Sequence, residues 1–178
     1  MTETGRLLIL TGPPGAGKTT VARLLADAEE PAAHLHTDDF FASIRKGFIA
    51  PWLPKAHAQN LTISRAIAAS AAAFAKGGFA VIVDGIVGPW FLDVYRDEAR
   101  RRQLAIDYVV LRPDREDAVR RAASRVDTPL ADYPPNMFEA FAELGPLEAH
   151  AVAIGSQDAE TVAKTVRQGL REGRFALV

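Results

Sequence analysis

One segment near the N-terminus constrains the fold of this chain more than any other. Gly12-Pro13-Pro14-Gly15-Ala16-Gly17-Lys18-Thr19 matches the pattern G-x-x-x-x-G-K-[ST] at every fixed position. The apolar run Leu7–Leu10 in front of it predicts a buried strand. Behind it, apolar residues at helical spacing predict an amphipathic helix: Val21, Leu24, Leu25 and Ala28. A strand, a glycine-rich turn and a helix in this order predict a loop whose backbone N–H groups bind phosphate.

The residue types in this loop predict a purine nucleoside triphosphate and a magnesium ion as ligands. Lys18 is expected to reach the β- and γ-phosphates, and the Thr19 hydroxyl is expected to hold Mg²⁺. The positive end of the helix dipole adds to the attraction for phosphate. The residues expected to contact the nucleotide, ATP in the leading interpretation, are Gly12, Pro13, Pro14, Gly15, Ala16, Gly17, Lys18, Thr19 and Thr20.

The rest of the chain alternates predicted strands with predicted helices. Further strands are expected at Ala33–His36, Phe79–Val83, Leu104–Leu111 and Ala149–Ile154. Helices are expected from Asn60 to Lys76, from Pro89, from Asp114 to Arg125, from Asn136 to Leu144 and around Val162–Leu170. This alternation predicts the α/β class: a P-loop three-layer α/β/α fold with a five-stranded parallel sheet. With 178 residues, we expect a single domain over 1–178.

Composition argues against several other kinds of protein. The net charge of −1 disfavours nucleic acid as a partner, and the apolar runs are too short to span a membrane. There is no cysteine, which excludes disulfides and thiolate metal sites, and the four histidines lack metal-ligand spacing. Met1–Gly5 is polar, without the core of a signal peptide behind it. We therefore expect a cytoplasmic enzyme without a membrane partner; whether it has a protein partner is left open.

Three classes of nucleotide enzyme fit a loop of this kind. A GTPase carries an Asn-Lys-x-Asp guanine motif, which does not occur in this sequence. Hydrolytic ATPases end the third-strand motif in Asp-Glu, whereas here Asp84 is followed by Gly85. A small-molecule kinase needs a carboxylate near the acceptor hydroxyl, arginines over the transferring phosphate and a lid that excludes water. The chain has candidates for each of these parts.

The carboxylate candidates follow the second predicted strand. Asp38 is the better general base, and it could also order Mg²⁺, while Asp39 could contact the acceptor. The alternative is that the two aspartates cap the next helix. Asp84 could hold Mg²⁺ through water or bind acceptor hydroxyls, or it could simply begin a turn before Gly85.

An irregular segment of about 40–60 is expected to bind the acceptor, and a proline-rich segment of about 126–135 to close over it. Arg121 and Arg125 lie four residues apart before this lid, where they could stack on adenine and neutralise the γ-phosphate, or form a solvated basic face. The residues expected to contact the acceptor are Asp39, Phe41, Trp52, Gln59, Asn60, Asp84 and Trp90, and for the aromatic ones core packing is the alternative.

The motifs together resemble those of small bacterial P-loop kinase-like proteins, which are often labelled AAA-type ATPases. The resemblance lies in Gly12–Thr19, His36–Phe41, Gln59-Asn60, Val83–Trp90 and the Arg121/Arg125 pair. The group is similar in plan to chloramphenicol phosphotransferase, zeta-toxin, shikimate kinase and gluconate kinase, and more distantly to nucleoside monophosphate kinases.

The resemblance implies a role for several individual residues. Asp38 would activate the acceptor, Arg121 would stack on adenine and Arg125 would be the lid arginine that reaches the γ-phosphate. Ser156, after the last predicted strand, would lie near the adenine. The adjacent aspartates depart from the Asp-x-Asp of shikimate kinases. The lid is also shorter and poorer in arginine than in nucleoside monophosphate kinases.

The leading hypothesis is an enzyme that uses ATP and magnesium to transfer the γ-phosphoryl group to a hydroxyl of a small molecule. Lys18, Asp38 and Arg125 are the predicted catalytic residues, and Thr19 and Asp38 the predicted metal ligands. One alternative is a nucleoside monophosphate kinase of the cytidylate type. Another is an ATP-binding switch or weak ATPase that regulates a partner protein. An RNA 5′-hydroxyl kinase is disfavoured by the near-neutral charge.

Overall fold

The structure is a computed structural model that describes residues 5–114, 116 and 136–177. Its sheet has five strands, all parallel, in the spatial order β2-β3-β1-β4-β5. The strands are β1 Leu7–Thr11, β2 Ala32–His36, β3 Ala80–Asp84, β4 Ile106–Arg112 and β5 Ala151–Ala153. The predicted five-stranded parallel sheet is thereby confirmed.

Helices cover both faces of this sheet. The α-helices are α1 Lys18–Ala26, α2 Thr37–Ala42, α3 His57–Lys76, α4 Leu92–Arg102, α5 Asn136–Glu139 and α6 Ala159–Arg171. Short 3₁₀ helices occupy Pro54–Ala56, Pro89–Phe91 and Gly145–His150. No helix in the described part of the chain is both long enough and apolar enough to cross a membrane.

The central strand β1 feeds two separate cores because alternate side chains of a strand point to opposite faces. Leu7 and Ile9 pack in a cluster with α3 and α4, which includes Ile67 and Tyr95. Leu8 and Leu10 pack in a second cluster with α1 and α6, which includes Val166. These four β1 side chains are all buried, which explains the unbroken apolar run in the sequence.

The order of the strands creates the site. Strand β1 leads into α1 on one face of the sheet, whereas its neighbour β3 leads into α4 on the other face. In open α/β sheets, ligands bind in the crevice at the carboxyl ends of such neighbouring strands. Thr11 ends β1 and Asp84 ends β3, so the loops that carry the predicted nucleotide residues start at this crevice.

Two helix boundaries predicted from the sequence are wrong. Asn60 does not begin α3, which starts at His57 after a 3₁₀ turn; the Asn60 amide instead donates to the Pro51 carbonyl at 2.7 Å. The helix predicted from Asn136 to Leu144 is α-helical only to Glu139, and Gly145 starts a 3₁₀ helix. The predicted helix 114–125 and the predicted lid lie almost entirely outside the described residues.

The segment after β3 is held tightly against the neighbouring strands. The Val87 backbone N–H donates to Thr11 Oγ1 at 2.9 Å, and the Tyr108 hydroxyl donates to the Val87 carbonyl at 2.9 Å. Gly85 has φ +156°, and a Cβ there would lie 1.8 Å from Oγ1 of the buried Thr37. The glycine after Asp84 therefore allows β2 and β3 to end close together.

We expect Gly85→Ala to lower the free energy of unfolding by about 3 kcal/mol, because it adds both a collision and an unfavourable φ. Gly47→Ala is the matched control, since Gly47 also has positive φ (+77°) but has no atom within 4 Å of an added Cβ. Its cost should be about 1 kcal/mol. Urea unfolding of both variants measures the difference, and equal losses would contradict the packing argument.

Candidate nucleotide and acceptor site

The glycine-rich loop has the backbone shape that the sequence predicts. Gly12, Gly15 and Gly17 have φ of +145°, +77° and +77°. At Gly12 a Cβ would lie 2.3 Å from the Leu111 carbonyl oxygen, so this position also needs a glycine for space. Helix α1 starts directly after Gly17, which supplies no side-chain cap. The first-turn amides of α1 are thus not capped by that residue, as an anion-binding helix end requires.

Lys18 closes the loop from the side of the helix. Its Nζ donates to the Pro13 carbonyl at 3.0 Å, and the Ala16 backbone N–H donates to the same carbonyl at 3.3 Å. The ammonium group therefore lies over the loop whose amides would hold phosphates. This position fits the predicted role of Lys18 as the cation nearest the transferring phosphate.

Asp84 lies directly behind Thr19 at the end of β3. Thr19 Oγ1 donates to Asp84 Oδ2 at 2.7 Å, and His34 Nε2 donates to Asp84 Oδ1 at 2.7 Å. His36 Nδ1 lies 3.8 Å from the same Oδ1. The Asp84 side chain is fully buried, so these neighbours provide its stabilisation.

Two opposing effects act on the pKa of Asp84. Burial raises it, but the hydrogen bonds from His34 and Thr19 and the nearby histidine charge outweigh burial, so the pKa is lowered from 3.8. The group is therefore an anion at neutral pH. A buried carboxylate beside a threonine hydroxyl is an oxygen-rich environment that suits Mg²⁺.

The chemistry of this pair agrees with a magnesium ion held mainly by phosphate and water. The described residues contain no cluster of three or more His, Cys, Asp or Glu that could hold a metal by themselves. Magnesium at phosphate sites commonly uses only one or two protein ligands and keeps several waters. Thr19 and Asp84 supply that number.

A cavity of about 680 Å³ opens beside the end of β2. Its volume falls within the range of about 300–1,000 Å³ typical of small-molecule sites. Its walls come from α2, the loop before α3, the first half of α3, the segment after β3, and α4 and α5. The lining residues are Thr37, Asp38, Phe41, Ala42, Ile44, Phe48, Pro51, Trp52, Asn60, Ile63, Ser64, Ile67, Ile86, Val87, Trp90, Phe91, Tyr95, Met137 and Ala140.

Asp38 is the carboxylate on the cavity wall. Its side chain is 76% exposed, and its Oδ2 lies 3.8 Å from His36 Nε2. Asp39 is also exposed but does not line the cavity. The helix that both begin is capped by His36, whose Nδ1 accepts the Asp38 backbone N–H at 3.3 Å. The aspartates therefore do not supply the N-cap of α2, which was the alternative to a catalytic role.

The structure brings most of the other predicted acceptor residues to one place. Phe41, Trp52, Asn60 and Trp90 line the cavity. Gln59 does not line it: its amide bonds both to the Ile49 N–H (2.8 Å) and to the Ile49 carbonyl (2.7 Å), which fixes the loop before α3.

The other residues predicted to contact the nucleotide lie outside the phosphate loop. Thr20 is exposed in the first turn of α1, and Ser156 is exposed in the turn after β5. Arg121 and Arg125 lie outside the described residues, and so does the lid of about 126–135. Their roles remain predictions.

Sequence reasoning missed His34 and much of the cavity wall. His34 could have been found, because it alternates with His36 on β2 and so shares a face with it. Ile63 and Ile67 lie in the helix predicted from Asn60 to Lys76, but their contact with the acceptor cavity was not predicted. No sequence pattern singled out Tyr95, because this residue reaches the cavity only through the packing of α4 on α3.

Comparison with known proteins agrees with this architecture. A family model described as AAA domain matches residues 7–143. A comparison with curated protein sequences found no match.

Among similar solved structures is the Mycobacterium tuberculosis APS kinase in complex with AMPPNP and APS (18% identity, 94% of this chain and 98% of that chain, TM-score 0.70). Another is a gluconokinase from Sinorhizobium meliloti 1021 (19% identity, 95% of this chain and 93% of that chain, TM-score 0.68). A third is an unliganded sugar kinase from Janibacter sp. HTCC2649 (20% identity, 94% of this chain and 95% of that chain, TM-score 0.66). At these identities the similarity shows the fold, which is that of P-loop kinases.

Proposed function

Because the chain belongs to the AAA domain family and has the fold of P-loop kinases, we propose that it is an ATP- and magnesium-dependent phosphotransferase. It transfers the γ-phosphoryl group of ATP to a hydroxyl of a small molecule. One observation carries the proposal: a phosphate-binding loop and a large cavity with a carboxylate on its wall meet at one edge of the sheet.

Three short contacts connect the two halves of this site. Thr19 of the loop bonds to Asp84, Asp84 lies 3.8 Å from His36, and His36 lies 3.8 Å from Asp38. A triphosphate on the loop and a hydroxyl beside Asp38 would therefore be held by neighbouring groups. Phosphoryl transfer depends mainly on such positioning and on charge neutralisation.

The proposed step transfers one phosphoryl group and one proton. A bond forms between the acceptor oxygen and the γ-phosphorus, and the bond from that phosphorus to the oxygen of the departing ADP breaks. Asp38 takes the hydroxyl proton, while Lys18 and the loop amides stabilise charge on the phosphate oxygens. Arg125 is the further catalytic residue predicted from the sequence.

Magnesium would be held by Thr19 with Asp84 behind it, and it would supply neutralisation of the phosphate charge. Asp38 was also predicted as a metal ligand. We favour Asp84 for that role, because Asp84 contacts Thr19 whereas Asp38 lies on the wall of the acceptor cavity. On this proposal Asp84 lies beside the magnesium ion and does not bind the acceptor.

The test is ADP release from Mg²⁺-ATP with and without pooled acceptors. The pools are nucleoside monophosphates, sugars, aminoglycosides, aromatic and alicyclic alcohols, nucleosides and RNA. Stimulation by one small-molecule pool, with phosphate recovered on the acceptor, is the expected result. A slow background that no pool changes, while ATP binds tightly, would contradict the proposal and favour an ATP-dependent switch.

A further inference from the structure

The charges around the acceptor cavity are unusual for a kinase of anionic substrates. Among the described residues that line it, none is a lysine, arginine or histidine, and the one charged side chain is the carboxylate of Asp38. An acceptor with a carboxylate or phosphate would find no cation in the described part of this wall. It would also approach a like charge, and an unpaired charge removed from water is costly.

The wall is apolar over most of its area. The buried side chains of Ile63, Ile67 and Val87 line it, and so does Phe41. At the mouth, Phe48 and Trp90 are 52% and 56% exposed, so two large apolar side chains face solvent where a ligand would enter. A sugar would leave most of its hydroxyls without partners on these walls, whereas an apolar body would be favoured by burial.

Among the described residues of the wall, two buried polar atoms have no hydrogen-bond partner: Asn60 Oδ1 and the Tyr95 hydroxyl oxygen. Asn60 is 9% exposed, and its Nδ2 donates to the Pro51 carbonyl at 2.7 Å, which fixes the orientation of the amide. Among the described residues, no donor bonds to its buried Oδ1. A buried acceptor atom of this kind is costly unless a ligand supplies a donor. Ser64 and Tyr95 add two hydroxyls to the same wall.

We infer that the acceptor is an uncharged molecule with a bulky apolar body, a hydroxyl that faces Asp38 and a hydrogen-bond donor for Asn60 Oδ1. This inference rests on the proposed function for the transfer step: the acceptor hydroxyl oxygen bonds to the γ-phosphorus, its proton goes to Asp38, and ADP leaves. The class of ligand that the cavity binds is inferred from the described residues of its wall.

Binding can be measured without turnover, because the two tryptophans of the chain, Trp52 and Trp90, both line the cavity. The probes are 1-adamantanemethanol, 1-adamantanecarboxylate and gluconate, none of which absorbs where tryptophan is excited. We expect the alcohol to shift tryptophan emission and to bind at least about tenfold more tightly than the carboxylate or gluconate. Equal or tighter binding of either anion, or no binding of the alcohol, overturns the inference.

A pair of variants tests the location of the site. Phe48→Lys adds a cation at the exposed mouth and should shift the preference towards 1-adamantanecarboxylate. Phe74→Lys is the matched control: Phe74 is 40% exposed on α3 but packs on Phe79 away from the cavity. The control should leave both affinities unchanged. Equal effects of the two variants would show that the probes bind elsewhere and would overturn the inference.

Turnover separates this inference from the proposed function. If ADP release is stimulated by gluconate or nucleoside monophosphates and not by apolar alcohols, the protein is a kinase and the acceptor class is wrong. If apolar alcohols bind with the expected preference but no acceptor is ever phosphorylated, the cavity is correctly described and the kinase proposal fails. Phosphorylation of apolar alcohols with weak use of the anions supports both.

Discussion

Lys18→Ala should lower kcat/KM for phosphoryl transfer by about 10³-fold or more, because it removes the cation placed over the phosphate loop. Transfer spreads negative charge over the γ-phosphate oxygens, and the loop amides alone cannot supply the missing positive charge. ADP release at varied ATP gives kcat and KM. Titration of the variant with a fluorescent ATP analogue separates lost binding from lost chemistry.

Lys76→Ala is the control for this variant. Lys76 is an exposed lysine at the C-terminal end of α3, where the Ala75 carbonyl accepts the Gly5 backbone N–H just before β1, at the opposite end of that strand from the loop. The Lys76→Ala substitution removes one positive charge away from the site, so the activity of this variant should remain near that of the unchanged protein. A Lys18→Ala protein that keeps more than about a tenth of the activity would exclude Lys18 from catalysis.

Asp38→Asn should lower kcat by about 10²-fold or more, while the dissociation constant for ATP stays the same. The amide keeps the shape of the side chain but cannot take the proton of the acceptor hydroxyl. Since Asp38 lies on the cavity wall and Lys18 on the phosphate loop, the two variants should separate transfer from nucleotide binding. Steady-state rates with the best acceptor, together with ATP titrations, measure both quantities.

Asp39→Asn is the comparison for Asp38→Asn. The two aspartates are adjacent and both are exposed, but only Asp38 lines the cavity. Asp39 was predicted to contact the acceptor, so a change in KM with little change in kcat would support that prediction. If Asp38→Asn keeps kcat within about threefold of the unchanged protein, the base is another group.

The first half of the site was predictable because it is local in sequence. Eight consecutive residues define the phosphate loop, and the strand before it and the helix after it follow from hydrophobic periodicity. In the structure, Gly12, Gly15 and Gly17 have the positive φ angles that this pattern requires. The position of Asp38 directly after β2 was also predictable, since it follows a predicted strand; its catalytic role stays a prediction.

The second half depends on residues that are far apart in the chain. Asp84 meets Thr19 across 65 positions, and Tyr95 joins Asn60 on the cavity wall only because α4 packs on α3. Gln59 and Asn60 are neighbours in sequence, yet Asn60 lines the cavity and Gln59 holds the Ile49 backbone. No local sequence pattern shows which of the two side chains lines the cavity and which bonds to the backbone.

By itself, the sequence predicted a glycine-rich phosphate loop at the carboxyl end of a parallel sheet. The loop's chemistry resides in its own backbone and adjacent side chains, so short-range spacing is sufficient to reveal it. Only the tertiary structure showed that Asp84 contacts Thr19, that Asp38 lies on the wall of a cavity, and that the described part of this wall is mostly apolar and without cations. Strand order and helix packing set those relations, and they bring together residues that the sequence leaves tens of positions apart.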